Sequence, residues 1–157
     1  MPSSDTTDRN QPAEQPAGAA MQAGAGHDLV PLSADECLIL LRRQIPKIGR
    51  IAVVENGQPI VLPVNYAYDR GTIVVRTDHG AKLTAALLNQ PVAFEVDEID
   101  VLWREGWSVL VKGRLEEITE PQELESALRL PLTPWAPGSR SRYVRVVPHA
   151  ITGRRLV

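Results

Sequence analysis

One cysteine, one phenylalanine and three histidines are all that the 157 residues hold of those types. A single thiol, Cys37, excludes an internal disulfide framework and suits a reducing compartment. His27, His79 and His149 lie far apart and offer no ligand spacing for zinc or iron, so no metal site is expected. No apolar run approaches the length of a bilayer crossing. The first residues carry no basic stretch followed by an apolar one, so no secretory signal is expected either. The net charge is only −2, which gives no global positive field to draw the chain to nucleic acid or anionic lipid. There is no P-loop and no G-x-S-x-G elbow. A cytoplasmic protein, with neither membrane nor nucleic acid as a partner, is the expectation left standing.

What is there fits one packed domain: 43% hydrophobic and 23% charged residues are ordinary for a globular chain of this length. Residues 1–28 differ in kind. Ala, Gly, Gln and Pro dominate, no period repeats, and too little apolar surface is present to offset ordering entropy. A disordered tail over 1–28 and one domain over 29–157 are expected. Order is expected to begin at "LSADECLILLRR". Ser33 and Glu36 form a capping box with Leu32 and Cys37 at the staple positions, and Leu38, Leu41 and Ile45 recur on one helical face. Cys37 reads as core, because no His or basic residue is placed to lower its pKa.

A β series follows. "GRIAVV" and "QPIVLPVNY" are joined at Asn56-Gly57, the strongest short hairpin signal. "DRG" turns the chain into "TIVVR", "PVAFEVD" reads as a fourth strand, and "WSVLVKGRLEEI" as a long fifth. On the fifth strand Trp107, Val109, Val111 and Leu115 share one face. The acidic "EVDEID" reads as a solvated strand end and loop. A short helix with Thr119 and Gln122 as a second capping box, a Pro-rich loop and a last strand region, "RYVRVVPHAITGRRLV", complete the chain. Short antiparallel strands with small inserted helices point to a closed or nearly closed barrel. Pro59 and Pro63 cannot donate ladder hydrogen bonds, so their strand belongs at an edge or a bulge.

"RTDHGAKL", from Arg76 to Leu83, leaves the third strand. It reads either as a loop that holds an anion or as a polar turn with a helix cap. Arg supplies a fork of donors, Lys a point charge and Thr a hydroxyl, a workable set for a phosphate.

Taken in order, "GRIAVVENGQPIVLPVNYAY", "IVVRTDHGAKL", "GWSVLVKGRLEEI" and "ITGRRL" resemble the pyridoxamine 5′-phosphate oxidase-like family of flavin-binding proteins. The resemblance runs from Leu32 to the C-terminus. It implies a mainly β, six-stranded antiparallel split β-barrel with a few short helices, and a homodimer with FMN at the interface. It also implies an FMN-dependent oxidoreductase acting on a small molecule. The fold hosts F420-binding and haem-binding proteins and non-catalytic flavin carriers or sensors as well. The Arg and His signature that holds pyridoxal phosphate in the oxidases themselves is not evident here, which points away from that activity.

Carried over by position, Arg76, Thr77 and Lys82 receive the flavin phosphate. Pro63, Val64, Asn65 and Tyr66 run along the isoalloxazine ring, with Tyr66 as an aromatic wall. Trp107 and Ser108 add flavin contacts, and Arg50 and Arg154 lie open to the same role or to surface ion pairs. The subunit seam is expected along the strand of Trp107 and Val109. The resemblance assigns no catalytic residue.

Overall fold

The computed structural model describes residues 28–43, 48–132 and 141–157. His27, Ile45 and most of the Pro-rich loop lie outside these residues, as does the segment 1–27. The elements are β1 (Leu29–Leu32), α1 (Ala34–Arg43), β2 (Ile48–Glu55), β3 (Gln58–Asp69) and β4 (Thr72–Thr77), then α2 (Ala81–Leu87), β5 (Pro91–Asp100), β6 (Glu105–Glu117), α3 (Pro121–Leu128) and β7 (Arg142–Leu156). None of the described helices is long and apolar enough to cross a membrane.

All strands join one antiparallel sheet in the order β1-β7-β4-β3-β2-β5-β6, and β6 also pairs with β7. That last pairing closes a ring of β7, β4, β3, β2, β5 and β6, which is the barrel. The sheet has seven strands, not the expected six. β1 is the addition, paired outside the ring from Leu29↔Leu156 to Leu32↔Gly153. Four residues with Pro31 among them are too short to show an alternating pattern, so only the partner strand makes β1 a strand. Asp28 exchanges backbone hydrogen bonds with Val157, so pairing reaches one residue into the expected tail.

The turns follow from local chemistry. Asn56 and Gly57 take positive φ (51° and 77°) between the paired ends Glu55↔Gln58, as a two-residue hairpin requires. Arg70 and Gly71 do the same between Asp69 and Thr72. β5 runs on to Asp100, so "EVDEID" is strand throughout, where a strand end and loop was expected. Asp100 Oδ1 then accepts from the N–H groups of Leu102 and Trp103 and shapes the turn into β6. In β7, Lys112↔Ala150 is followed by Gly113↔Pro148. His149 is the bulged residue, and the bulge accommodates a proline inside a long strand.

Two apolar clusters fill the molecule. The larger lies inside the barrel, where the inward side chains of the ring meet α1 (Cys37, Leu41) and α2 (Leu83, Ala85, Ala86). The α1 capping box forms as expected: Ser33 N donates to Glu36 Oε2 at 2.8 Å and Glu36 N to Ser33 Oγ at 3.3 Å. Leu32 and Cys37 then converge on Gly153, where a Cβ would stand 2.7 Å from Cys37 Sγ and 2.9 Å from Leu32 Cδ1. Burial raises the Cys37 pKa, which leaves it an inert core thiol. The smaller cluster (Ala67, Val74, Ile118, Ala127, Leu132, Tyr143) lies outside the barrel, where α3 covers part of β3, β4 and β7. The second capping box does not form. Pro121 opens α3, so Glu120 is the N-cap, and it makes no side-chain cap bond.

Candidate functional site

β3 and β4 stay paired from Asp69↔Thr72 only as far as Tyr66↔Val75. The next residue on each strand, Asn65 and Arg76, therefore flanks the point where the two strands part. Beyond it β4 continues along β7, through Arg76↔Tyr143 and Thr77↔Arg142. Residues 58–65 of β3 keep only β2 as a partner among the described residues. Pro59 and Pro63 lie in this half, so the edge expected from the prolines is where the prolines are. β4 ends at Thr77, and Gly80, with a φ of 139°, leads into α2, whose first turn holds Lys82. Only glycine adopts that φ without strain. Asn65, Arg76 and Thr77 thus meet at one end of β4, and Lys82 follows in the helix that starts there.

Alternation along β4 sets what each side chain can do. Ile73, Val75 and Thr77 face one way and Val74 and Arg76 the other. The Arg76 guanidinium lies 5.3 Å from the centre of the Tyr143 ring, with Nη1 3.5 Å from the Leu132 carbonyl. A guanidinium held over an aromatic ring keeps its positive charge and several N–H donors, as an anion would need. Thr77 is 5% exposed and its hydroxyl donates to the Asp78 carbonyl at 3.1 Å. It would serve a phosphate only by turning that proton away.

The "PVNY" residues divide between two faces. Pro63 and Asn65 lie on the outer face of β3. Val64 and Tyr66 belong to the barrel interior, at 7% and 1% exposure. Tyr66 packs edge-to-face on Phe94 with ring centres 4.9 Å apart, and its hydroxyl donates to the Leu41 carbonyl at 3.1 Å. Burial pushes its pKa up to about 12. The expected aromatic wall is therefore a core residue: its ring is spent on Phe94 and its hydroxyl on α1.

Trp107 and Ser108 stand elsewhere. Trp107 turns inward with Val109, and its Nε1 donates to Glu98 Oε2 at 3.2 Å. Ser108 faces outward, between Asp97 and Arg154 in register. Three strand spacings, about 14 Å, separate β3 from β6 across the sheet. Trp107 and Ser108 therefore lie on the strand across the ring from the one that carries Asn65. Val109 is fully buried among barrel side chains, so it does not lie on a seam as expected.

The outer face of β2, β5 and β6 carries a feature not read from the sequence. Arg50 Nη1 donates to Asp97 Oδ1 at 2.7 Å and to Glu95 Oε2 at 3.1 Å. Burial raises the Glu95 pKa, and the Asp97 charge adds to the shift against the pull of Arg50. Two acidic residues spaced by two in "FEVDE" were the available signal, since they share a strand face. Their meeting with Arg50 needed the β2–β5 register. Among the described residues no helix seals this face: the buried side chains of α1 and α2 belong to the interior cluster and that of α3 to the outer one. Among the described residues, no three His, Cys, Asp or Glu side chains gather as metal ligands would.

With this geometry in hand, comparison with known proteins gives the following. The family model described as pyridoxamine 5′-phosphate oxidase matches residues 33–155. An uncharacterised protein of Mycobacterium tuberculosis is 31% identical over 138 residues, 85% of this chain and 89% of that one. A solved FAD-binding protein from Mycobacterium smegmatis is similar with a TM-score of 0.68 and 36% identity, over 81% of this chain and 98% of that one. A solved FAD-binding protein from Mesorhizobium loti has a TM-score of 0.68 and 30% identity, over 81% and 97% of the two chains.

Proposed function

The chain belongs to the pyridoxamine 5′-phosphate oxidase family, and from that membership we propose that it binds FMN and acts as an FMN-dependent oxidoreductase on a small molecule. The parting of β3 from β4 carries this reading. It sets Asn65, Arg76 and Thr77 at one opening, with Lys82 in the helix behind. Arg76 and Lys82 bring two positive charges to the phosphate, and Arg adds a planar fork that matches its oxygens. Pro63 and Asn65 line the β3 edge along which the isoalloxazine ring lies, and Asn65 brings an amide that can both donate and accept. A bound flavin supplies hydride transfer; the chain supplies binding and orientation. FAD, the ligand named for both solved relatives, carries the same first phosphate, and FMN is the form that ends there.

Homodimerisation belongs to the same proposal. A second copy brings Trp107 and Ser108 to a flavin at the parting, since in their own chain they lie three strands from β3. The face of β2, β5 and β6, which no helix seals, is the surface that meets that copy. A cytoplasmic setting fits a chain with a single, buried cysteine.

An absorption spectrum of the purified protein, taken with its molar mass in solution, tests the proposal. Flavin bands, FMN released on denaturation and a two-chain mass are expected. A deazaflavin spectrum or a Soret band would replace FMN by F420 or haem, and a monomer that holds flavin at full affinity would refute the shared site. Anaerobic reduction by NADH or NADPH, followed by reoxidation with quinones or nitro compounds, separates an enzyme from a carrier: flavin held with no turnover on any pair would overturn the oxidoreductase reading.

A further inference from the structure

The interior of the barrel ends in charge. Across β5, β6 and β7 the row Val96–Val109–Gly153 lies in register inside the barrel, and both valines are fully buried. Two residues on toward the same end of each strand, on the same face, the row is Glu98–Trp107–Arg155. Beyond it Asp100 and Glu105 form the next pair on that face. Apolar side chains at these inward positions would close the barrel, whereas charged ones leave its mouth to solvent or to a ligand. What they line, with Val157 as a further wall, is a cleft of about 270 Å³. The mouth of a barrel is a common seat for a small ligand, held there by a few placed polar groups.

The charged groups of the mouth are committed to different degrees. Asp100 spends Oδ1 on the Leu102 and Trp103 N–H groups. Glu98 accepts the Trp107 Nε1–H on Oε2 at 3.2 Å, which leaves its other oxygen for a ligand. Among the described residues, the side chains of Arg155 and Glu105 make no hydrogen bond or ion pair. Glu36 feels the Arg155 charge but holds its own Oε2 on the Ser33 hydroxyl at 2.8 Å. A carboxylate and a guanidinium thus flank the indole, one strand to either side. Two strand spacings set their backbones about 10 Å apart. A charge-assisted hydrogen bond of about 2.8 Å at each head leaves roughly 4–5 Å between the two groups that they would hold.

From this row and the cleft that it lines, we infer that the barrel mouth binds a small zwitterion whose ammonium and carboxylate are joined by a short apolar spacer, the γ-amino acid class. Glu98, with Glu105 on the same face, takes the ammonium. Arg155 takes the carboxylate with its planar fork, and the spacer lies against the Trp107 ring. An α-amino acid, whose two charged groups share one carbon, reaches only one of the two partners. A simple anion meets more carboxylates than guanidinium here. The site lies within one chain and goes beyond the flavin proposal.

Calorimetric titration of the full chain with 4-aminobutyrate tests the inference, with glycine, butyrate and butylamine as comparisons. 4-Aminobutyrate should bind at least tenfold more tightly than any of the three. The indole N–H signal of Trp107, assigned in the NMR spectrum by its loss in Trp107→Phe, should move during the titration. Arg155→Ala and Glu98→Gln should each weaken 4-aminobutyrate at least tenfold, and Arg155→Gln repeats the first should Arg155→Ala unfold. No binding, an equal affinity for glycine, variants that bind like the parent, or an unmoved Trp107 signal would overturn the inference. Displacement of 4-aminobutyrate by FMN would overturn it too, because the cleft would then belong to the flavin.

Discussion

The barrel wall has two outer faces that the chain treats differently. Over part of β3, β4 and β7, α3 and Leu132 close on Val74, Ala67 and Tyr143, and the rim is tied by Arg145 to Glu116 and Glu123. Over the middle of β2, β5 and β6 the outward residues are Ala52, Ala93, Ser108 and Leu110 around the charged Arg50–Glu95–Asp97 group. The first face has an apolar surface and the chain's own helix to bury it. The second has its charged groups paired within the sheet and, among the described residues, no helix sealing it. A face that the chain pairs up but does not seal is suited to meeting another molecule, whereas a sealed one serves stability alone.

Matched acidic substitutions on the two faces should separate them most widely. Val74→Asp puts a carboxylate into the sealed cluster, where Val74 is 2% exposed, and should cost about 4 kcal/mol or more in urea unfolding. Val61→Asp, at a position 62% exposed on the unsealed side, should change the stability of the isolated chain by no more than about 0.5 kcal/mol. Equal losses would mean that the two faces are not different in kind.

The interior gives a middle-sized effect. Tyr66→Phe leaves the Leu41 carbonyl without its donor and should cost about 1–2 kcal/mol at neutral pH. Burial raises the Tyr66 pKa from 10.0 to about 12. Below the unfolded pKa both states hold the phenol proton and that stability is fully present. Above it the unfolded chain loses the proton first, so stability falls as pH rises toward the folded value, by about 1.4 kcal/mol for each unit. The variant should lack this part of the alkaline loss. Identical alkaline profiles for parent and variant would place Tyr66 in contact with solvent.

The smallest effect belongs to the Arg50 group, which is about half-exposed at the arginine and about a third at each carboxylate. Arg50→Ala should cost the isolated chain no more than about 1 kcal/mol, because solvent screens such pairs. The loss should shrink in high salt. It should also shrink as pH falls and Glu95, whose pKa burial raises, takes up a proton and no longer attracts the guanidinium. A loss unchanged by salt and pH would show that Arg50 acts by packing instead.

Much of this frame was legible beforehand because it rests on local rules. The Asn56-Gly57 turn, the Ser33–Glu36 box, the inward face of Val109, Val111 and Leu115, and the edge at Pro59 and Pro63 each depend on residues a few positions apart. β1 was missed because four residues become a strand only when β7 supplies the partner. The division of "PVNY" was missed for a related reason. Resemblance assigned all four residues to one ligand, whereas the strand period sends Val64 and Tyr66 inward and Pro63 and Asn65 outward. The Arg50 group and the stacking of Arg76 on Tyr143 depend on strand registers across long stretches of chain, which no local pattern encodes.

Titration of the chain and of Arg76→Ala/Lys82→Ala with FMN and with riboflavin tests the central claim most directly. The parent should bind FMN well ahead of riboflavin. The double variant should lose about a hundredfold or more in FMN affinity, since charge-assisted hydrogen bonds contribute roughly 1.5–3 kcal/mol each, while its riboflavin affinity should stay close to the parent's. Equal FMN affinity in the two proteins would contradict the assignment of the phosphate to the parting of β3 and β4.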